Sequence, residues 1–153
     1  MSEYRVVTEL PNGGVSLTQL LVGDQTREDY KKMAKEIDGI VVDVVDLPDS
    51  QDRDHWVISK GKVIISPESV AREMTDTIRL IRNSKLTSLD VPSMRAMEDG
   101  DMDTSKDIKK KKDVLREIPS MVEEKLNKII NSKKKPATKL KELQKFHVSE
   151  LDE

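Results

Sequence analysis

The residues here that could do chemistry are few: carboxylates at Asp99, Asp101 and Asp103, histidines at His55 and His147, and two lysine runs. The alternation Asp99-Gly100-Asp101-Met102-Asp103 superficially resembles a calcium loop, since carboxylates spaced this way can converge on one ion. An EF-hand then needs Gly at the sixth position and Glu at the twelfth. Thr104 and Lys110 stand there instead, so the better reading is a solvated acidic turn that caps the following helix. His55 and His147 fall in different modules, and neither has triad or zinc-site partners at simple spacing. No Walker, Rossmann or G-x-S-x-G pattern occurs. The absence of cysteine excludes disulfides and thiolate chemistry, and is compatible with a reducing compartment. The expectation is a protein that is not an enzyme and needs no cofactor or metal.

Lys109–Lys112 and Lys133–Lys135 could contact phosphates. No aromatic residues interleave with them for base stacking, and Asp107, Asp113 and Glu117 flank the first run. A solvated helix face is therefore favoured over a nucleic-acid partner. No run of 18 apolar residues exists, so no membrane partner is expected. The start, MSEYRVVTELPNGG, lacks the basic and apolar stretches of a secretion signal. The protein should then stay where it is made unless a larger assembly carries it.

Composition points to thin packing. Only 35% of the 153 residues are hydrophobic and 37% are charged, with aromatic rings limited to Tyr4, Tyr30, Trp56 and Phe146. Large rings contribute most buried area per residue, so a small core and partner-dependent apolar surfaces are expected. The net charge of -2 is unevenly spread: residues 1–66 carry -4, residues 67–107 carry -3, and residues 108–153 carry +5. Such polarity favours contacts between copies, as in a homo-oligomer, or with an acidic partner.

These features need elements to hold them. Residues 4–9 and 15–22 flank Pro11-Asn12-Gly13-Gly14, a strong hairpin signal because Asn and Gly tolerate positive φ. A helix is predicted over 27–38, with Thr26 and Asp29 as a capping box and Gly39 as its C′ glycine. Residues 40–46 read as a strand, the DSQDRD run as a loop, and 55–65 as a second hairpin turning at Lys60-Gly61. Ser66-Pro67-Glu68 starts a helix whose apolar stripe runs from Val70 to Leu89. Asp90 should cap a separate short helix that ends at Gly100. A third helix from about Thr104 should break or kink at Pro119, although its stripe continues through Val122, Leu126 and Ile129. SKKKP at 132–136 reads as a linker before a last short helix and a frayed acidic end. The fold class is α+β: a β-rich module with one helix over 1–66, an elongated antiparallel helical hairpin over 67–131, and a basic arm over 132–153.

Contact residues follow from this layout. Arg53, Asp54 and Trp56 could form a recognition cluster, but Trp56 as core anchor beside an Arg53–Asp54 ion pair is the simpler reading. Met94 and Met97, next to a glycine turn, are the best candidates for an adaptable contact patch. Arg95 between them, and Leu115 and Ile118 on the later helix, complete the candidate partner-binding set.

Two stretches also resemble a known family. Leu47-Pro48 followed by Arg53-Asp54-x-Trp56 resembles the "LP…DR-FRDAW" segment of small proteins encoded among the tail genes of tailed bacteriophages. Leu89-Asp90-Val91, Met94-Arg95-Ala96, Glu98, Gly100-Asp101 and Leu115-Arg116-x-Ile118-Pro119 are similar to the same family's "LDV-x-x-MRA-x-E-x-GD … LR-x-IP" stretch. Its later half is similar to the C-terminal element of phage tail assembly chaperones. The likeness spans about residues 38–120, with Asp52 and His55 where the family has Phe and Ala. It implies a structural tail component with no catalytic residues, located in the virion and contacting other tail or fibre proteins. Two alternatives stand beside that expectation: an assembly chaperone absent from finished particles, and a host-directed nucleic-acid binder.

Overall fold

The computed structural model describes residues 3–11, 13–20 and 26–151. Strand β1 (Tyr4–Glu9) is covered on both faces, because its adjacent Val6 and Val7 point to opposite sides and both are fully buried. β2 (Val15–Thr18) and β3 (Ile40–Asp43) pair antiparallel with its two edges, giving the order β2-β1-β3. On one face Val6 packs with Tyr30 and Ala34 of helix α1 (Arg27–Ile37). On the other, Val7, Val15 and Val42 meet Trp56 and Val63. Those last two belong to a second hairpin of β4 (Trp56–Ser59) and β5 (Lys62–Ile65). Its turn residues Lys60 and Gly61 both have positive φ, as a two-residue type I′ turn requires.

The predicted order β-β-α-β-β-β is the order observed. Asn12 of the first turn, and Leu21 and Val22 of the predicted strand 15–22, lie outside the described residues. β3 is shorter than predicted: Asp43 accepts a hydrogen bond from the Val45 N–H at 3.2 Å and turns Val44–Asp46 into a 3₁₀ helix. The predicted DSQDRD loop contains a 3₁₀ helix at Ser50–His55, capped by Asp49.

The end of α1 also differs. Thr26 and Asp29 form the predicted capping box, but the left-handed residue at the far end is Asp38, at φ 54 and ψ 51. Gly39 is required for space instead. A Cβ there would stand 2.8 Å from the Val7 carbonyl oxygen and 2.9 Å from Thr8 Cγ2.

The chain forms two compact units, Met1–Pro67 and Glu68–Glu153. The second is built on α2 (Pro67–Glu98) and α3 (Met102–Ile130), roughly 48 and 43 Å long at 1.5 Å per residue. They run antiparallel. Arg79 reaches Glu123 at 3.1 Å and Lys112 reaches Asp90 at 2.9 Å, two pairs each equidistant in sequence from Asp101. Between the helices, Ala71 and Ile78 meet Leu115, Ile118, Val122 and Leu126.

Three predicted details of this unit are corrected. Asp90 caps nothing, since α2 runs unbroken through Pro92; its carboxylate is held by Lys112 of the facing helix. α3 is likewise not broken at Pro119 but continues through it, as its stripe of Val122, Leu126 and Ile129 implied. An internal proline costs about 3 kcal/mol, whereas each buried aliphatic side chain contributes about 1.5–3 kcal/mol. Ile118, Val122 and Leu126 are all buried around that proline, so burial wins. Finally, residues 132–151 are not a separate arm. Helix α4 (Pro136–Lys145) buries Leu143 in the hairpin core, and Phe146, Val148 and Leu151 join it. The last acidic residues, Asp152 and Glu153, lie outside the described residues.

Two outcomes are expected. Gly39→Ala should lose roughly 1–3 kcal/mol through the clash with β1, while the neighbouring Asp38→Gly should be neutral or stabilising because it relieves a left-handed side-chain residue. Urea titration of both variants checks the order, and equal effects would refute it. Leu143→Ala should cost about 2–5 kcal/mol; a change below 1 kcal/mol would mean that α4 contributes little to the second unit.

Candidate functional site

Hydrogen bonds fix the hairpin turn at the end of α2 and the start of α3. Gly100, at φ 68, takes the left-handed position that ends α2. Its N–H donates to the Met97 carbonyl at 3.2 Å, and the Asp101 N–H donates to the Ala96 carbonyl at 2.9 Å, the paired bonds of a Schellman motif. Asp101 then caps α3, accepting from the Thr104 hydroxyl at 2.7 Å and the Thr104 N–H at 3.1 Å. These Thr104 bonds hold the Asp101 carboxyl below the usual carboxylate range. The acidic run thus caps a helix, and among the described residues no three His, Asp or Glu side chains gather as metal ligands would.

Around this turn the apolar side chains face water. Met94 is 60% exposed and Met97 69%, and Val91 and Met102 are also exposed. Val91, Met94 and Met97 follow one another at three-residue steps on the last turns of α2, and Met102 opens α3. Arg95 sits exposed among them. The candidates Met94, Arg95 and Met97 therefore share one surface, to which Val91 and Met102 must be added. The signal for Val91 lay in its three-residue step from Met94.

The remaining candidates lie elsewhere. Leu115 and Ile118 are buried in the seam with α2, Ile118 to 2% exposure, so neither is a contact residue. They are the sites at which α3 meets its own neighbour. Trp56 is likewise 2% exposed and anchors the core of the first unit, its indole N–H donating to the Asp49 carbonyl at 3.2 Å. Arg53 and Asp54 are exposed on the preceding 3₁₀ helix, and no ion pair joins them. Exposed Leu80 and Val114 lay off the stripes read from the sequence and were missed.

The lysine runs are divided by the fold. Lys112 is held by Asp90, Lys134 pairs with Glu142, and the Lys139 ammonium donates to the Ile130 carbonyl at 2.6 Å, at the end of α3. Lys110 and Lys111 instead line a cleft of about 410 Å³ between α2 and α3. In the first unit a cleft of about 530 Å³ mixes both signs, with Arg27 and Lys62 near Asp43 and Asp46.

Comparison of the chain with protein-family models, with curated proteins and with solved structures finds no match.

The cap supplies a pH-dependent outcome. Because the Asp101 pKa is lowered on folding, its contribution should be complete above the ordinary carboxylate value near 4 and fade as pH falls through the lowered value. Asp101→Ala should therefore melt below the parent at pH 7, and the gap should close in strong acid. A gap that persists unchanged at pH 2 would contradict the assignment.

Proposed function

We propose that this protein is a non-enzymatic structural component of a bacteriophage tail, an adaptor at the tail or its fibre that works through protein–protein contacts. The observation that carries the reading is the exposed apolar surface at the hairpin turn, formed by Val91, Met94, Met97 and Met102. Unbranched, polarisable methionine side chains conform to irregular partner surfaces and gain from being covered. A rigid Schellman turn with an Asp101 cap presents them at the end of two long helices. The resemblance of the LP…RDxW and LDVxxMRAxExGD…LRxIP segments to small tail-region proteins supplies the setting.

In this reading the protein docks its hairpin end on another tail or fibre protein during assembly in the host cytoplasm and remains in the virion. Mass spectrometry of purified particles should then find the polypeptide at a fixed ratio to the major tail protein. Particles assembled with the double variant Met94→Glu, Met97→Glu should lack it, while the free variant keeps its helical circular dichroism. Detection in the lysate alone would overturn the structural role and favour an assembly chaperone.

A further inference from the structure

One stripe of α2 carries two clefts in succession. Val70, Met74, Thr77, Ile81, Lys85 and Ser88 recur at three- and four-residue steps, so they share one side of the helix. The first four line a cleft whose other wall is the chain's own C-terminal segment, including Phe146, Val148 and Leu151. Lys85 and Ser88 belong to the next cleft toward the turn, which α3 lines with Lys110, Lys111 and Val114. Among the described residues, none of the C-terminal segment lines this second part. The interhelical surface is thus covered by an apolar segment over one half and open over the other.

We propose that the open half is a docking groove for an acidic amphipathic helix of a partner protein. Its apolar lining of Leu89 and Val114, over the buried Leu115, calls for aliphatic side chains. Its Lys110 and Lys111 call for carboxylates alongside them and select against a basic segment. The covered half shows what kind of occupant this side of the hairpin accepts: an apolar segment, here the residues after α4, seated through Phe146, Val148 and Leu151. Elsewhere between α2 and α3 a cleft of about 300 Å³ carries Arg79, which is engaged by both Asp76 and Glu123. Lys112 is withdrawn from the groove by Asp90, which splits the Lys109–Lys112 run between structure and recognition. The groove is separate from the methionine surface, and this inference goes beyond the proposed tail role without depending on it.

The test uses the full chain and a fluorescein-labelled synthetic peptide of about 18 residues, five helical turns, with leucines on one face and glutamates on the other. A lysine-for-glutamate counterpart and a scrambled peptide of identical composition serve as controls. Fluorescence anisotropy should show the acidic peptide binding at least about tenfold more tightly than either control. Amide shifts in the protein should cluster at 85–89 and 110–115. The double variant Lys110→Glu, Lys111→Glu should lose about tenfold or more in affinity and shift its preference to the basic peptide. Val114→Glu, a change at an exposed position, should weaken the acidic peptide as well. Equal binding by the scrambled peptide, unchanged affinity in both variants, or shifts confined elsewhere would overturn the proposal. So would binding of a duplex oligonucleotide in place of the peptide. Since no phage particle is involved, failure here is distinct from failure of the particle assay.

Discussion

Antiparallel packing of α2 on α3 is the constraint on which the second unit depends. Helices in proteins owe most of their stability to tertiary packing of one face. The seam sets Ala71 and Ile78 of α2 against Leu115, Ile118, Val122 and Leu126 of α3. Its register is set at the Gly100-Asp101 turn and held along its length by the Asp90–Lys112 and Arg79–Glu123 pairs. The exposed pair contributes little energy by itself. Both pairs matter more as markers of register than as sources of stability.

In the first unit the equivalent constraint is the double burial of β1. A strand covered on both faces must carry apolar residues at consecutive positions, and Val6-Val7 does so. One valine holds α1 and the other holds the second hairpin, so a single two-residue step joins two small cores. The close approach of Gly39 to Val7 and Thr8 follows from the same crowding. Few aromatic rings are needed because Trp56 and Tyr30 each serve one side of the strand.

The two sides of the hairpin differ in chemistry. Ion pairs around Arg79 occupy one, and an apolar cleft walled by the C-terminal segment, followed by a second cleft bordered by lysine, occupies the other. The turn adds a third surface, apolar and flanked by carboxylates of the 98–103 stretch.

Local sequence determined much of this molecule. The order of strands and helices, the Thr26 capping box, the Lys60-Gly61 turn and the helix stop at Gly100 each follow from a few adjacent residues with narrow backbone preferences. Tertiary structure decided what those signals leave open. Asp90 and Pro92 read locally as a new helix start, yet a lysine on the facing helix takes the carboxylate and the helix runs on. Leu115 and Ile118 share the apolar character of Met94 and Met97, and only the seam distinguishes buried from exposed. The packing of α4, and with it the division of one interhelical surface into covered and open halves, rests on contacts between residues far apart in the chain. Caps and turns are fixed by neighbours in sequence; which side of an apolar helix meets water is fixed by neighbours in space.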